Sequence, residues 1–190
     1  MNMYEVILNI IDQKGPVSIP SICQEINQNR IFMQERDKPV QPSQIKSAIS
    51  RKRDLFYVEN NIVSLLPEKE LISLTVQISY GKGPWIKVDV DFIEKNFVFF
   101  EWNLEPVSNR KYEPIKAGST DDFKHSIFRL KVWDWEINYD QEGIILDGIN
   151  WAVRLETKAK VYKSDGLQDF PKDWTKFCQA LRKLTGKKFL

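Results

Sequence analysis

Four cationic side chains stand close together between residues 46 and 53, and a single acid, Asp54, follows them. The cations are Lys46, Arg51, Lys52 and Arg53. Short polar side chains precede and interleave with them, at Ser43, Gln44, Ser47 and Ser50. Cations of this kind neutralise phosphates, and short polar groups on a helix can approach base edges in a groove. The segment therefore has the chemistry of a nucleic-acid contact surface.

Three amphipathic helices are predicted in the first 51 residues, and the third one carries this segment. The first ends at Gly15-Pro16, since glycine provides a left-handed cap and proline forbids continuation. Ser18 caps the second helix, Pro42 begins the third, and residues 29–41 form a polar connector. The inward faces follow from helical spacing. They are Val6, Ile7, Ile10 and Ile11, then Ile22, Cys23 and Ile26, then Ile45, Ala48 and Ile49.

A small β-hairpin is predicted directly after the third helix. Phe56, Val58 and Ile62, with Leu65 as a further candidate, alternate around Glu59-Asn60-Asn61 as the inward positions. Asparagine accepts the left-handed backbone that a tight hairpin turn requires. Asn60 and Asn61 are therefore expected at the hairpin tip, where they can reach a phosphate or a minor groove.

Residues 1–66 resemble the HARE-type winged helix-turn-helix domains. The matching pieces are YEVILNIIDQKGPVSIPSICQEI, PSQIKSAIS and LFYVENNIVSLL. Such domains often have a glycine in the closing turn, where this chain has Asn60-Asn61. The resemblance implies a winged-helix fold that binds DNA or contacts the transcription machinery.

After Pro67-Glu68-Lys69-Glu70 the apolar pattern changes from a helical period to alternation, which predicts domains at 1–67 and 71–190. The second is expected to be a mainly antiparallel sheet covered by a C-terminal helix, so the chain is α+β. The closing helix begins near Pro171 and ends at Gly186, with Trp174, Phe177, Cys178, Leu181 and Leu184 on one face. Residues 103–126 are expected to be an irregular loop. Strands are predicted at 71–80, 85–92, 96–102, 127–138, 142–147, 149–157 and 159–163.

A turn at Asp147-Gly148 predicts a hairpin in which the strand around 139–146 pairs with 149–156. In that register Ile149, Trp151, Val153 and Leu155 share the apolar face. Trp133 and Trp135 are also expected in the sheet. A surface aromatic row beside Lys158, Lys160 and Lys163 is the alternative, and it would stack on single-stranded bases.

One motif in the second domain has the residue types of a nuclease. Asp147 followed by Glu156-Thr157-Lys158 is similar to the signature with which restriction-type enzymes hold Mg²⁺. In the predicted hairpin, about eight residues at ~3.3 Å each separate the two acids by more than about 20 Å. This distance disfavours a shared metal, so we predict a non-enzymatic protein with a Mg²⁺-dependent nuclease as one alternative.

Other reactive groups give no recognisable site. His125 is the only histidine and is expected in an exposed loop, and no zinc-ligand spacing is present. Asp89 with Asp91, and Asp134 with Glu136, are expected on exposed strand faces. Gly81-Lys82-Gly83 is expected to be a hairpin turn rather than a phosphate loop. No cofactor or metal is predicted.

Composition is that of a globular protein, with 42% hydrophobic and 28% charged residues. The net charge of +2 is too small to indicate nucleic acid by itself. Cys23 and Cys178 are expected to be buried free thiols. The start has no signal-peptide pattern and no run is long enough to span a membrane, so we expect a cytoplasmic protein with no membrane partner.

Together these observations predict a bacterial or phage DNA-binding protein that contacts duplex DNA through residues 43–61. The second domain would mediate dimerisation, sensing or docking to a larger complex. An adaptor whose winged helix binds a protein of the transcription or defence machinery is the alternative from another class.

Overall fold

The computed structural model describes residues 2–29, 39–102, 117–140 and 148–189. The chain divides into two compact units, Met1–Glu70 and Leu71–Leu190. A short 3-10 turn, Pro67–Lys69, stands at the end of the first unit. Predictions for residues 30–38, 103–116 and 141–147 lie outside the described residues.

The first unit has the element order of a winged helix. Its elements are α1 (Met3–Lys14), β1 (Val17–Ser18), α2 (Ile19–Gln28), α3 (Pro42–Arg51), β2 (Phe56–Glu59) and β3 (Ile62–Leu65). The strands form an antiparallel sheet in the order β1-β3-β2. The hairpin β2–β3 is the wing, and it follows α3 after one turn.

Local signals explain the three helices. Asn2 and Glu5 form a capping box at the start of α1, and Gly15 follows its end with φ +75°. The Ser18 side chain accepts a hydrogen bond from the Ser21 backbone and caps α2. The predicted inward faces of all three helices are buried. Tertiary burial therefore stabilises α3, whose apolar face has only three residues.

The wing differs in detail from the prediction. Its turn consists of Asn60 and Asn61 alone, both with positive φ, so Glu59 pairs with Ile62. Phe56, Val63 and Leu65 turn inward, whereas Ile62 is 45% exposed on the opposite face. The expected inward position of Ile62 was wrong because a two-residue turn shifts the alternation of β3 by one residue.

In its described residues the second unit is a six-stranded sheet with two helices. Its elements are β4 (Leu71–Tyr80), β5 (Trp85–Asp91), β6 (Asn96–Trp102), α4 (Thr120–Leu130), β7 (Asn138–Asp140), β8 (Ile149–Thr157), β9 (Val161–Leu167) and α5 (Trp174–Thr185). The strand order is β6-β5-β4-β8-β9-β7, antiparallel except for the β7–β9 pair. The α+β class and the C-terminal helix after the sheet are confirmed.

One face of the sheet packs against the helices. Trp151 of β8 lies against Trp174 of α5, with ring centroids 4.5 Å apart. Phe123 of α4 contacts Phe177 of α5 at 6.3 Å. The predicted inner face of α5 is buried throughout, and Gly186 follows the helix in the left-handed conformation. Cys23 and Cys178 are free thiols and both are buried.

The strand predicted at 127–138 is wrong. Residues 120–130 form α4, capped by Ser119 with Asp121 and Asp122 in its first turn. Phe123, Ile127 and Phe128 are its buried residues, and their helical spacing outweighs the apparent alternation. A 3-10 turn, Val132–Asp134, follows, so Trp133 and Trp135 lie beside the sheet rather than in it. His125 is half-buried on α4 and not in an exposed loop.

The predicted pairing of Tyr139 and Asp140 with β8 is also wrong, and the rest of that predicted strand, residues 141–147, lies outside the described residues. Both edges of β8 are already paired, one with β4 and the other with β9. Tyr139 pairs with Gly166 in β7–β9, in the parallel direction. The face assignment along β8 is correct, since Trp151, Val153 and Leu155 are buried and Arg154 is exposed. The last predicted strand lies two residues later than expected and is longer, at Val161–Leu167.

The longest helices in the described parts of the chain, α1 and α5, have 12 residues each, and none of the helices there meets the length and apolarity that crossing a membrane requires.

Candidate nucleic-acid interface

The solvent face of α3 is a stripe of three serines. Ser43, Ser47 and Ser50 are all exposed, on the side opposite the buried Ile45 and Ala48. Spacings of four and three residues place them in one row along the helix. Because serine is short, the backbone of α3 is accessible along this row, as close approach to a DNA groove requires.

Cations border the serine stripe on both sides. Lys46 and Arg53 lie on the side of the wing, where both line the groove beside it. Arg51 lies on the other side of α3, as its helical spacing from the serines requires. All three are exposed. The Nε of Arg51 donates to the Ser47 carbonyl at 3.2 Å, and the Nε of Arg53 donates to the Ser50 carbonyl at 3.3 Å. These bonds orient the guanidinium groups and use neither of their terminal nitrogens.

A groove of about 560 Å³ separates α3 from the wing. Its apolar base includes Ile49 and Phe56, and its rim carries Lys46, Arg53 and Asn61. No aspartate or glutamate is among the described residues that line it. The potential of this groove is therefore set by the two cations at its rim.

The tip of the wing presents two amide side chains to solvent. Asn60 and Asn61 have φ values of 48° and 67°, the left-handed conformation of a two-residue hairpin turn. Glu59 lies on the face of the wing that is turned away from the groove, where it accepts a hydrogen bond from the Tyr57 hydroxyl at 2.8 Å. This bond raises the pKa of Tyr57 above its usual value. The acid of the wing is thus separated from the groove side.

Two of the predicted contact residues take part in the fold. Gln44 accepts a hydrogen bond from the Gln41 backbone N–H at 2.8 Å and completes the N-terminal cap of α3. Lys52 is half-buried, with its Nζ 4.7 Å from the centroid of the Tyr4 ring. The other eight predicted residues are exposed.

Sequence reasoning missed three exposed apolar side chains on the wing, Tyr57, Val58 and Ile62. The two-residue Asn60-Asn61 turn could have revealed Ile62, because it fixes which residues pair across the hairpin.

Two acids that the sequence analysis considered as metal ligands, Glu156 and Asp89, are engaged with other side chains. Glu156 forms an ion pair with Arg154 at 2.7 Å, and Asp147, the other acid of the nuclease-like motif, lies outside the described residues. Asp89 accepts a hydrogen bond from Thr75 at 2.8 Å and pairs with Lys87. The described residues contain no group of three or more His, Cys, Asp or Glu side chains that could hold a metal ion. Gly81 and Gly83 lie in the turn between β4 and β5, as expected.

Comparison with protein-family models, curated proteins and solved structures gives no match for this chain.

Proposed function

We propose that this chain is a non-enzymatic DNA-binding protein in which α3 enters the major groove and the wing contacts the adjacent backbone. One observation carries the proposal: the exposed serine stripe is bordered by Lys46, Arg51 and Arg53 beside a groove without acidic lining residues. The serines meet base edges, the cations meet phosphates, and Asn60 and Asn61 reach a phosphate or the minor groove. The resemblance of residues 1–66 to HARE-type domains supports the same role.

The modest charge of the chain limits what one copy achieves on DNA. The net charge is only +2, and the three exposed cations of the proposed surface neutralise about three phosphates, which gives a salt slope of about −2.7. Non-specific affinity of such a monomer is weak at physiological salt. Two linked copies on one duplex raise the effective affinity without new contacts. We therefore assign dimerisation to the second unit.

The edge strand β6 is suited to self-association. Among the described strands it pairs only with β5. Its exposed face carries Val98, Phe100 and Trp102, with Trp85 of β5 in edge contact with Phe100 at 5.7 Å. Antiparallel pairing of two β6 strands about Phe99 places Val98 opposite Phe100 on both sides of the dyad. Pairs of an aromatic and a β-branched residue are favourable across antiparallel strands.

A second function is supported by the wing itself. Tyr57, Val58 and Ile62 are exposed there, and aromatic and aliphatic side chains of this kind are typical of protein contacts. In this alternative the chain is an adaptor whose wing docks on a protein of the transcription or defence machinery. Tyr57→Ala/Ile62→Ala separates the two functions, because it removes the apolar face of the wing and leaves every cation in place.

Duplex binding as a function of salt tests the DNA proposal. Fluorescence anisotropy of a labelled duplex would compare the parent with Lys46→Ala/Arg51→Ala/Arg53→Ala. The control variant, Lys82→Ala/Lys172→Ala/Lys183→Ala, removes three exposed cations from the second unit and changes the net charge equally. We expect the first variant to reduce the slope by about 2.7 and the control to change it by less than about 0.5. Equal slopes in both variants, or no binding by the parent below about 100 mM salt, would refute the proposal.

A further inference from the structure

The second unit contains a pocket of about 380 Å³ between β9 and the segment Val132–Ile137. Small-molecule sites have volumes of about 300–1,000 Å³ and are lined mainly by apolar and aromatic side chains with few polar groups. This pocket matches that description in both respects. It lies on the face of the sheet that α4 and α5 cover.

The floor and walls of the pocket are apolar and well supported. Val153 and Leu155 of β8 form the floor, and both are buried. Trp133, Trp135 and Tyr162 form the walls. Trp135 packs against the core beyond the pocket, with its ring 5.1 Å from that of Phe177 and 6.1 Å from that of Trp174. The aromatic walls are therefore held in place before any ligand binds.

The pocket exists because Val132–Ile137 runs close to β9 at only one end. There the Asp165 N–H donates to the Ile137 carbonyl at 2.9 Å, and the Ser164 hydroxyl donates to the Glu136 carbonyl at 2.5 Å. The 3-10 turn Val132–Asp134 is not paired with β9. Backbone hydrogen-bonding directions alternate along a strand, so the N–H of Lys163 points to the same side as that of Asp165. The Lys163 N–H therefore faces the pocket, beside the residues that precede β7.

The charge at the pocket is positive. Lys160 lies at the mouth, with its Nζ 4.8 Å from the centroid of the Tyr162 ring. Lys163 lines the pocket as well, but its pairing with Arg154 places its side chain on the other face of the sheet, so Lys160 supplies the charge. The lining contains no aspartate or glutamate among the residues that the structure describes. The side chains of Asp134 and Glu136, the acids of the adjoining segment, are exposed and outside the lining. An anionic group at the mouth would meet an ammonium and a backbone N–H, while a flat ring would lie between the aromatic walls.

We propose that this pocket binds a small aromatic carboxylate, with the ring between Trp133 and Tyr162 and the carboxylate beside Lys160. A single-stranded base is the other occupant that an aromatic pocket beside a lysine admits, and competition by oligo-dT distinguishes the two. The site does not depend on DNA binding by the first unit, so each assignment can fail alone.

Calorimetric titration of the full chain with 1-naphthoate, and with the neutral 1-naphthamide as its counterpart, tests the site. Lys160→Gln removes the charge at the mouth. Lys158→Gln is the matched control, since it makes the same change two residues away at a position outside the lining. Both side chains are exposed, so the variants should fold, and thermal melting checks this.

We expect saturable binding of 1-naphthoate and about fivefold weaker binding of the amide. Lys160→Gln should weaken the binding of 1-naphthoate by about fivefold and leave the affinity for the amide unchanged. Lys158→Gln should change neither affinity by more than about twofold. No saturable binding up to about 1 mM, or equal affinity of Lys160→Gln and the parent, would overturn the proposal. Competition by oligo-dT that is lost in Lys160→Gln would also overturn it and assign the pocket to single-stranded nucleic acid.

Discussion

Lys52 lies over the ring of Tyr4, with its Nζ 4.7 Å from the ring centroid. This contact joins the residue after α3 to the start of α1 within the first unit. It separates Lys52 from Lys46, Arg51 and Arg53, which point to solvent beside the serine stripe. Of the four neighbouring cations, Lys52 therefore packs within the first unit, whereas the other three remain on the solvent side.

The first prediction compares Lys52→Ala with Arg53→Ala. Lys52→Ala should lower the free energy of unfolding by about 0.5–1 kcal/mol, because the cation–π contact is lost. It should leave the salt slope of duplex binding nearly unchanged. Arg53→Ala should have the opposite profile, with unchanged stability and a slope reduced by about 0.9. Urea unfolding and anisotropy measure the two quantities, and Lys52→Arg, which keeps the cation, is the control. A reduction of the slope by Lys52→Ala equal to that by Arg53→Ala would contradict this division.

The wing tip permits a test that leaves the backbone intact. Glycine adopts positive φ readily, so Asn60→Gly/Asn61→Gly should keep the turn and remove only the amide side chains. We expect unchanged thermal stability and about tenfold weaker duplex binding, since two hydrogen bonds are lost. Asn61→Ala should instead lower stability by about 1 kcal/mol, because alanine is strained at this φ. Parent-like affinity of the diglycine variant would show that the tip does not contact DNA.

Self-association through β6 predicts a dimer that a single charge disrupts. Phe100→Glu places two carboxylates near the proposed dyad, and it should convert the protein to a monomer in analytical ultracentrifugation. Val161→Glu makes the same kind of change at an exposed apolar residue of β9 and serves as the control. A parent that is monomeric at about 100 µM would remove this interface from the proposal.

The buried Cys178 and the half-buried Tyr80 beside it predict a loss of stability in alkali. Burial raises the pKa of Cys178 from 9.0 to about 12. Burial, followed by the nearby Cys178, raises the pKa of Tyr80 from 10.0 to about 12. Between about pH 9 and 12 both groups stay protonated in the folded protein, whereas they ionise in the unfolded chain. Their contribution to the free energy of unfolding is therefore complete below about pH 9 and decreases between about pH 9 and 12. The urea midpoint should fall over this range.

Cys178→Ala is the control for the alkaline effect. It removes one of the two groups while preserving a small apolar side chain, so its urea midpoint should fall less steeply between about pH 9 and 11. An equally steep fall in this variant would show that other groups are responsible. Iodoacetamide should not alkylate Cys178 in the folded protein near neutral pH, because the buried thiol stays protonated.

The helices of the first unit illustrate what local patterns determine. Ser18, Pro20 and Pro42 mark helix starts through their own side chains, and Gly15 marks an end. The inward faces follow from spacing alone. The turn residues Asn60 and Asn61 likewise indicate a hairpin, although only their φ values settle its length. The candidate surface was predictable because its exposed residues are the complement of a short apolar stripe.

Pairing partners were not predictable in the same way. The faces of β8 follow from alternation. Its neighbours, β4 and β9, do not, because alternation does not specify which strands pair with each other. Trp133 and Trp135 alternate like strand residues, yet Trp133 lies in the 3-10 turn after α4, Trp135 follows that turn, and both form walls of a pocket. Here the packing of Trp135 against Phe177 and Trp174, and of Trp133 against Phe128, decides the conformation.

The sequence by itself determined the helix limits of the first unit, the wing, the class of the fold and the inner faces of β8 and α5. Each of these depends on neighbours within about one helical turn or one strand, where periodicity and capping act. Only the tertiary structure decided the strand order, the cation–π contact between Lys52 and Tyr4, the groove beside α3 and the pocket beside β9. These depend on which distant segments bury their apolar surfaces together, a choice made by the whole core rather than by any local pattern.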